Sequence, residues 1–299
     1  FLLQMDYRAH EVMTTQSSSV NGEAGDVTFV AAKRSKKILA PWQVGIDNYG
    51  LTGFGIYRFT GRYSAPLIAA GDNLALQTLF SEGQEFGNAR YDFPIGYLPL
   101  RGSIWASMLH YKVDSQTQQD GRATMGGIDF SYPTFFRGGS LIITSTGYEF
   151  KETKDYLHTT SNNLLFTQKW INNFHLRASG ENFMMGRLSF SGDLTLGNLN
   201  IGGNGLAAEF DSAFAKTQGN FTKLYWEGSF TQPVSVRSSL ALNLKGQYAN
   251  KNLDSLEKFS FGGVNGVRAY NSNIGVGDEG VLANLSYSML LNTTLPTRI

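Results

Sequence analysis

From Trp42 onward the chain alternates apolar and polar side chains in runs of roughly ten residues, the period-two pattern of a half-buried strand. Leu224, Trp226, Gly228 and Phe230 interleave with Lys223, Tyr225, Glu227, Ser229 and Thr231. Leu240, Leu242, Leu244, Gly246 and Tyr248 do the same with Ala241, Asn243, Lys245 and Gln247. Val281, Ala283, Leu285, Tyr287 and Met289 stand opposite Asn284, Ser286 and Ser288. Near the start Tyr57, Phe59 and Tyr63 oppose Arg58, Thr60, Arg62 and Ser64. About twelve strands are predicted between Trp42 and Leu290, separated by Gly-, Asn- and Asp-rich turns. The others run Trp42–Gly50, Asp72–Glu82, Ala89–Leu98, Gly102–Ser115, Arg122–Phe136, Ser140–Glu152, Asn163–Asn182 and Gly186–Leu196. Asp120-Gly121 suits a tight turn. Pro94 and Pro133 are expected at bulges or strand ends. Residues 113–122, 152–161 and 198–220 are polar and predict long loops.

A strand that places Lys and Glu on one face needs water or partners there, because an unpaired buried charge costs several kcal/mol. Arg58, Arg62, His110, Lys112, Lys223, Glu227, Asn243, Lys245 and Gln247 are therefore assigned to a wet inner face, with Asp114 beside Lys112. Tyr63, Tyr97, Tyr111, Tyr132 and Tyr248 recur near strand ends, as the aromatic girdles of a membrane barrel would.

Composition narrows the class. Charged residues are 16%, against roughly 25% in an average soluble domain, and glycine supplies 34 of 299 residues. Mean hydropathy is still slightly negative, and no run approaches the ~18 apolar residues of a spanning helix. Composition alone fits a membrane barrel or a soluble sandwich or propeller equally. Strand length favours the barrel, since sandwich strands are commonly nearer five or six residues. The chain has no cysteine, which suits a protein crossing an oxidising compartment unfolded. A net charge of +1 with scattered basic residues gives no electrostatic case for nucleic acid.

Catalytic motifs are not found. His10, His110, His158 and His175 lack metal-ligand spacing, and there is neither a Gly-x-Ser-x-Gly elbow nor a phosphate-binding Gly-rich loop. No enzyme activity, metal, cofactor or nucleotide is expected.

Lys251 to Gly280 interrupts the alternation with a Gly-rich polar segment holding Glu257, Phe259, Phe261, Gly262, Gly263, Val267, Arg268, Tyr270, Gly277, Asp278 and Gly280. This order resembles the pore-folded signature loop of the BamA/TpsB outer-membrane superfamily, and most closely its TpsB branch, the two-partner secretion transporters of haemolysin-activator type. Where the family usually carries glycine after the arginine, this chain has Ala269, which restricts the backbone there.

The resemblance implies an all-β, antiparallel transmembrane β-barrel over residues 38–299, with about twelve of roughly sixteen strands present. It implies that residues 1–37 are the end of a periplasmic POTRA domain, with Gly25 to Ala31 as its last strand. The chain opens at Phe1 without an initiator methionine and closes at Ile299 without a terminal aromatic, so a piece cut at both ends is expected. By the same resemblance Arg268 latches the loop onto an acidic residue of a later strand, a pairing that a guanidinium fork suits. Tyr270 and Phe261 pack the loop, and Gly262 and Gly263 turn it. The implied partners are a secreted TpsA-type exoprotein (adhesin, haemolysin or contact-dependent toxin) and outer-membrane lipids, around a monomer. A barrel-assembly insertase and a passive porin-like channel remain as alternatives.

Overall fold

The computed structural model describes residues 41–48, 55–68, 70–113, 119–158, 163–203, 205–262, 266–267 and 275–290. The POTRA expectation for residues 1–37 lies outside them. Each alternating run forms a strand: β1 (Trp42–Asp47), β2 (Arg58–Ala65), β3 (Asn73–Ser81), β4 (Gln84–Ile95), β5 (Leu100–Val113) and β6 (Gln119–Arg137). Then follow β7 (Ser140–His158), β8 (Asn163–Asn182), β9 (Leu188–Gly203), β10 (Gly219–Ser235) and β11 (Ser238–Ala249). Two short strands, β12 (Phe259–Ser260) and β13 (Val276–Gly277), precede β14 (Gly280–Met289). β1 to β11 and then β14 form one antiparallel 12-stranded sheet in chain order, and β12 pairs with β13 apart from it.

The register assigns every side chain to a face. Ser103, Asp129, Gly147, His175, Thr195, Lys223 and Ala249 stand side by side in one row across β5 to β11. The segment after β11 packs on this face, which is called inward below. The opposite face carries Val44, Phe59, Met108, Leu176, Leu224 and Leu285, all exposed. An apolar surface that extends across the whole sheet cannot face water, and it has the composition of a lipid-facing belt.

The strands near the middle are long: β6 and β7 have 19 residues each and β8 has 20. Nine to eleven residues cross a bilayer, so these strands continue well beyond it. They absorb much of the sequence expected to loop. Asp120 and Gly121 lie within β6 rather than in a turn, because each pairs with a β5 and a β7 residue. Pro133 does sit at a register shift, between β6 and β7. One rim of the sheet has the connections from β2 to β3, β4 to β5, β6 to β7, β8 to β9 and β10 to β11, and the other has the two-residue turn 82–83 and the connections from β1 to β2, β5 to β6, β7 to β8, β9 to β10 and β11 to β14. In outer-membrane barrels the longer loops lie outside the cell.

Two of the expected inner residues are on the other face. His110 and Lys112 share the outward row with Ile104, Ala106 and Met108, while Ser103, Trp105, Ser107, Leu109 and Tyr111 point inward. Both are polar because β5 has left the apolar belt at that height, so polarity no longer marks the inner face. Tyr111, expected in a girdle, is inward and donates its hydroxyl to Asp155. Asp114 lies outside the described residues.

Candidate functional site: the loop on the inner wall

After Ala249 the chain turns back over the inward face instead of entering the next strand. Asn250 donates its N–H to the Thr222 carbonyl at 3.0 Å. Leu253 then enters an apolar cluster of Ile171, Leu199, Phe221 and Ala249, with Ile201 against it. Leu253 is 1% exposed, and burial on that scale contributes about 1.5–3 kcal/mol.

Polar anchors surround this apolar contact. Lys169 of β8 meets Asp254 at 2.5 Å. Asp254 also accepts the Leu256 N–H at 3.1 Å, and its carbonyl accepts the Glu257 N–H at 2.9 Å, closing a tight turn. The turn delivers the Glu257 side chain, 1% exposed, between two strand lysines: Lys151 of β7 at 2.7 Å and Lys223 of β10. Asn173 of β8 donates to the same carboxylate at 3.0 Å, and Gln247 of β11 donates to the Glu257 carbonyl at 3.0 Å. One glutamate therefore ties four strands to the loop. A buried carboxylate pays a large desolvation cost and persists only when so paired.

The exit of the loop is held equally. Asp278 accepts the Leu253 N–H at 2.8 Å and pairs with Lys258 at 3.5 Å, while its carbonyl accepts from Gln247 at 3.1 Å. Phe259 sits in an edge contact with Phe261, centroids 4.8 Å apart, under the Lys245 ammonium at 5.5 Å. Phe261 lies so close to Gly280 that a Cβ there would fall 2.1 Å from its ring, which is why glycine stands at that position. The Gly262–Val267 bridge is closed by the Val267 N–H donating to the Phe261 carbonyl at 2.8 Å.

From Glu257 a line of charges continues along the inner wall. Lys151 also meets Glu149 at 2.9 Å, and His175 lies 3.5 Å from Glu149 and 3.1 Å from Asp193. Arg177 bridges Asp193 and Asp129 at 2.7 and 3.0 Å, and Arg90 joins Asp129 to Asp92 at 3.6 and 2.9 Å. Alternating signs leave the wall wet yet nearly neutral. Toward the short-turn rim this face opens into a recess of about 630 Å³, bordered by Ser179, Ser191, Glu227, Asn243 and Lys245.

Of the residues singled out in sequence, Glu257, Phe259, Phe261, Gly262, Val267, Gly277, Asp278 and Gly280 are brought together here. Gly263, Arg268, Ala269 and Tyr270 lie outside the described residues. Arg58 is on the inward face and pairs with Asp47 at 2.7 Å; Arg62 is exposed on the same face. Glu227 accepts from Tyr225 at 3.0 Å and Ser191 at 3.2 Å, and Asn243 is in register with Asn284. Sequence reasoning missed Lys151, Lys169, Asn173 and Asp254. Their strand parity is readable, but their partners lie 84 to 106 residues away.

Residues 28–295 match the model of the family described as haemolysin secretion/activation protein ShlB/FhaC/HecB. The chain is 26% identical over 256 residues to the heme/hemopexin transporter protein HuxB of Haemophilus influenzae strain 86-028NP, covering 83% of this chain and 45% of that protein. HuxB of strain Rd is 24% identical over the same share of both chains. The chain thus spans about half the length of the curated relatives it matches. Among solved structures, CdiB from Escherichia coli aligns with TM-score 0.67 at 20% identity, over 85% of this chain and 48% of that one. BamA from Haemophilus ducreyi aligns with TM-score 0.51 at 11% identity, over 79% and 47%. The twelve-stranded sheet is the wall of an antiparallel β-barrel of the outer-membrane type.

Proposed function

Since the chain belongs to the haemolysin secretion/activation family, we propose that it forms most of the wall and the pore loop of an outer-membrane conduit for one large secreted protein. The partner crosses unfolded from periplasm to cell surface. The observation that carries this reading is the loop root held on the inner wall by Glu257, between Lys151 and Lys223. A passive channel needs only a wet lumen. A conduit for a polypeptide must also fill that lumen when idle and keep its walls from holding the cargo.

The inner face suits both demands. Its charges are mutually paired, so a passing chain of either sign meets little net field. The recess bordered by Ser179, Ser191 and Asn243 offers hydroxyl and amide partners to an extended backbone. Residues 1–37, read as the end of a POTRA module, receive the cargo in the periplasm, by adding a strand to a sheet edge. Arg268, directly after Val267, is the latch of the loop tip. No nucleotide is required, because folding of the cargo outside the cell biases movement outward.

The test is an export assay with the full-length protein and a candidate exoprotein from the same genome. Arg268→Ala should cut surface appearance of the partner at least tenfold while heat-modifiable folded barrel in the outer membrane stays at wild-type level. Unchanged export would overturn the latch. Sugar permeation in liposome swelling, with no partner exported, would favour a passive channel instead.

A further inference from the structure

The outward face of β5 to β7 changes character above the apolar belt. Ile104 and Ile128, then Ala106 and Gly126, then Met108 and Thr124 stand in successive outward rows. The next row is His110, Arg122, Lys154 and Gln168, in direct register on four neighbouring strands, with Lys112 on β5 one row higher. Adjacent strands are about 4.8 Å apart, so the three basic side chains span roughly 10 Å. Trp170 lies in the row beneath, where an indole marks the membrane interface.

Three carboxylates share the patch. Glu85 and Asp120 flank His110 at 4.0 and 3.7 Å, and Glu152 pairs with Lys154 at 3.0 Å while accepting from Gln168. Arg122 and Lys112 differ. Among the described residues neither enters an ion pair, and the Arg122 guanidinium donates at 3.2 Å to the Met108 sulfur, a weak acceptor. On the inward face, by contrast, Arg58, Arg90 and Arg177 each hold a carboxylate. Two exposed cations at the upper edge of a lipid-facing belt, on the long-loop rim, sit at the level of outer-leaflet headgroups.

Resting on the barrel orientation used above, we infer that Arg122 and Lys112 form a docking site for the phosphate of an outer-leaflet lipid. The guanidinium grips the phosphate through two parallel N–H donors, and the ammonium adds a point charge one strand away. The acyl chains of that lipid lie along Ile104, Met108 and Ile128, so the site is continuous with the belt. Lys154 and His110 keep their own carboxylates and frame the site.

The experiment uses the full-length protein purified with diphosphoryl lipid A in mixed micelles, with bound lipid counted by native mass spectrometry. Wild type should retain lipid A through detergent exchange, and a tenfold excess of dephosphorylated lipid A should not displace it. The double variant Lys112→Gln, Arg122→Gln should lose at least 80% of the retained lipid, and Lys112→Gln, Arg122→Lys should recover part of it. Equal retention by wild type and the double variant, equal affinity for the dephosphorylated lipid, or displacement by inorganic phosphate alone would each overturn the site. Heat modifiability checks that both variants fold. Export by the double variant should stay within twofold of wild type, so loss of lipid and loss of transport are read separately.

Discussion

At the scale of single residues, charge pairing on the inward face decides most of what the site does. Glu257 has almost no contact with solvent, and its removal takes the carboxylate from Lys223 and one of the two carboxylates from Lys151. Glu257→Gln keeps the shape and deletes the charge, and should lower unfolding stability by roughly 3 kcal/mol. Reversible urea unfolding in lipid vesicles measures it, and a change under about 0.5 kcal/mol would mean the pairs are solvated. Leu253→Ala should cost about 2–5 kcal/mol in the same assay through the cavity it leaves. The anchor was partly legible beforehand: Glu257 stood out in the loop pattern, and Lys223 followed from parity. Lys151, Lys169 and Asn173 did not, since local periodicity cannot say which inner residues a distant loop will reach. For His110 parity itself held the answer. The even residues Ile104, Ala106 and Met108 are apolar, and His110 continues their row; the polarity of the side chain misled.

At the scale of elements, the alternating runs were legible almost throughout because each strand presents one face to lipid and one to water. Strand ends were less so. Where β6 and β7 rise above the bilayer both faces become polar, and a polar stretch then reads as loop. The loop between β9 and β10 shows a different rule. After a helical turn at Leu206–Phe210, the π-helical turn Asp211–Ala215 ends at Lys216 with φ +54°. Asp211 caps it by accepting the Thr217 hydroxyl at 2.6 Å and the N–H groups of Thr217 and Gln218 at 3.0 Å. Burial pushes the Asp211 carboxyl up, but these donors outweigh it and hold the carboxyl below the usual carboxylate range. A depressed folded-state value adds stability above the unfolded aspartate pKa, near 3.9, and that stability fades as pH falls through the folded value. Amide NMR shifts of Thr217 and Gln218 in nanodiscs should therefore stay constant from pH 7 to 5 and move only below about pH 4. Asp211→Ala should speed trypsin cleavage after Lys216 at least fivefold at pH 8; an unchanged rate would show that the cap holds nothing.

At the scale of the whole molecule, the described strands form a barrel wall that is apolar outside and polar inside, with residues 250–262 and 275–279 lying against its inner face. The root of the loop is tied to β7, β8, β10 and β11 at once, so it belongs to the wall. Loss of the Glu257 anchor should raise single-channel conductance in planar bilayers, through longer or more frequent open events. The most direct measurement exploits the absence of cysteine from residues 1–299. With Leu253→Cys and Ile171→Cys in the full-length protein, a short bis-thiosulfonate applied to intact outer membranes should bridge the pair, while neither single variant forms the product. A bulky impermeant maleimide added outside should leave both thiols unlabelled. Rapid maleimide labelling at position 253, without bridging, would place the loop in bulk solvent and contradict the account.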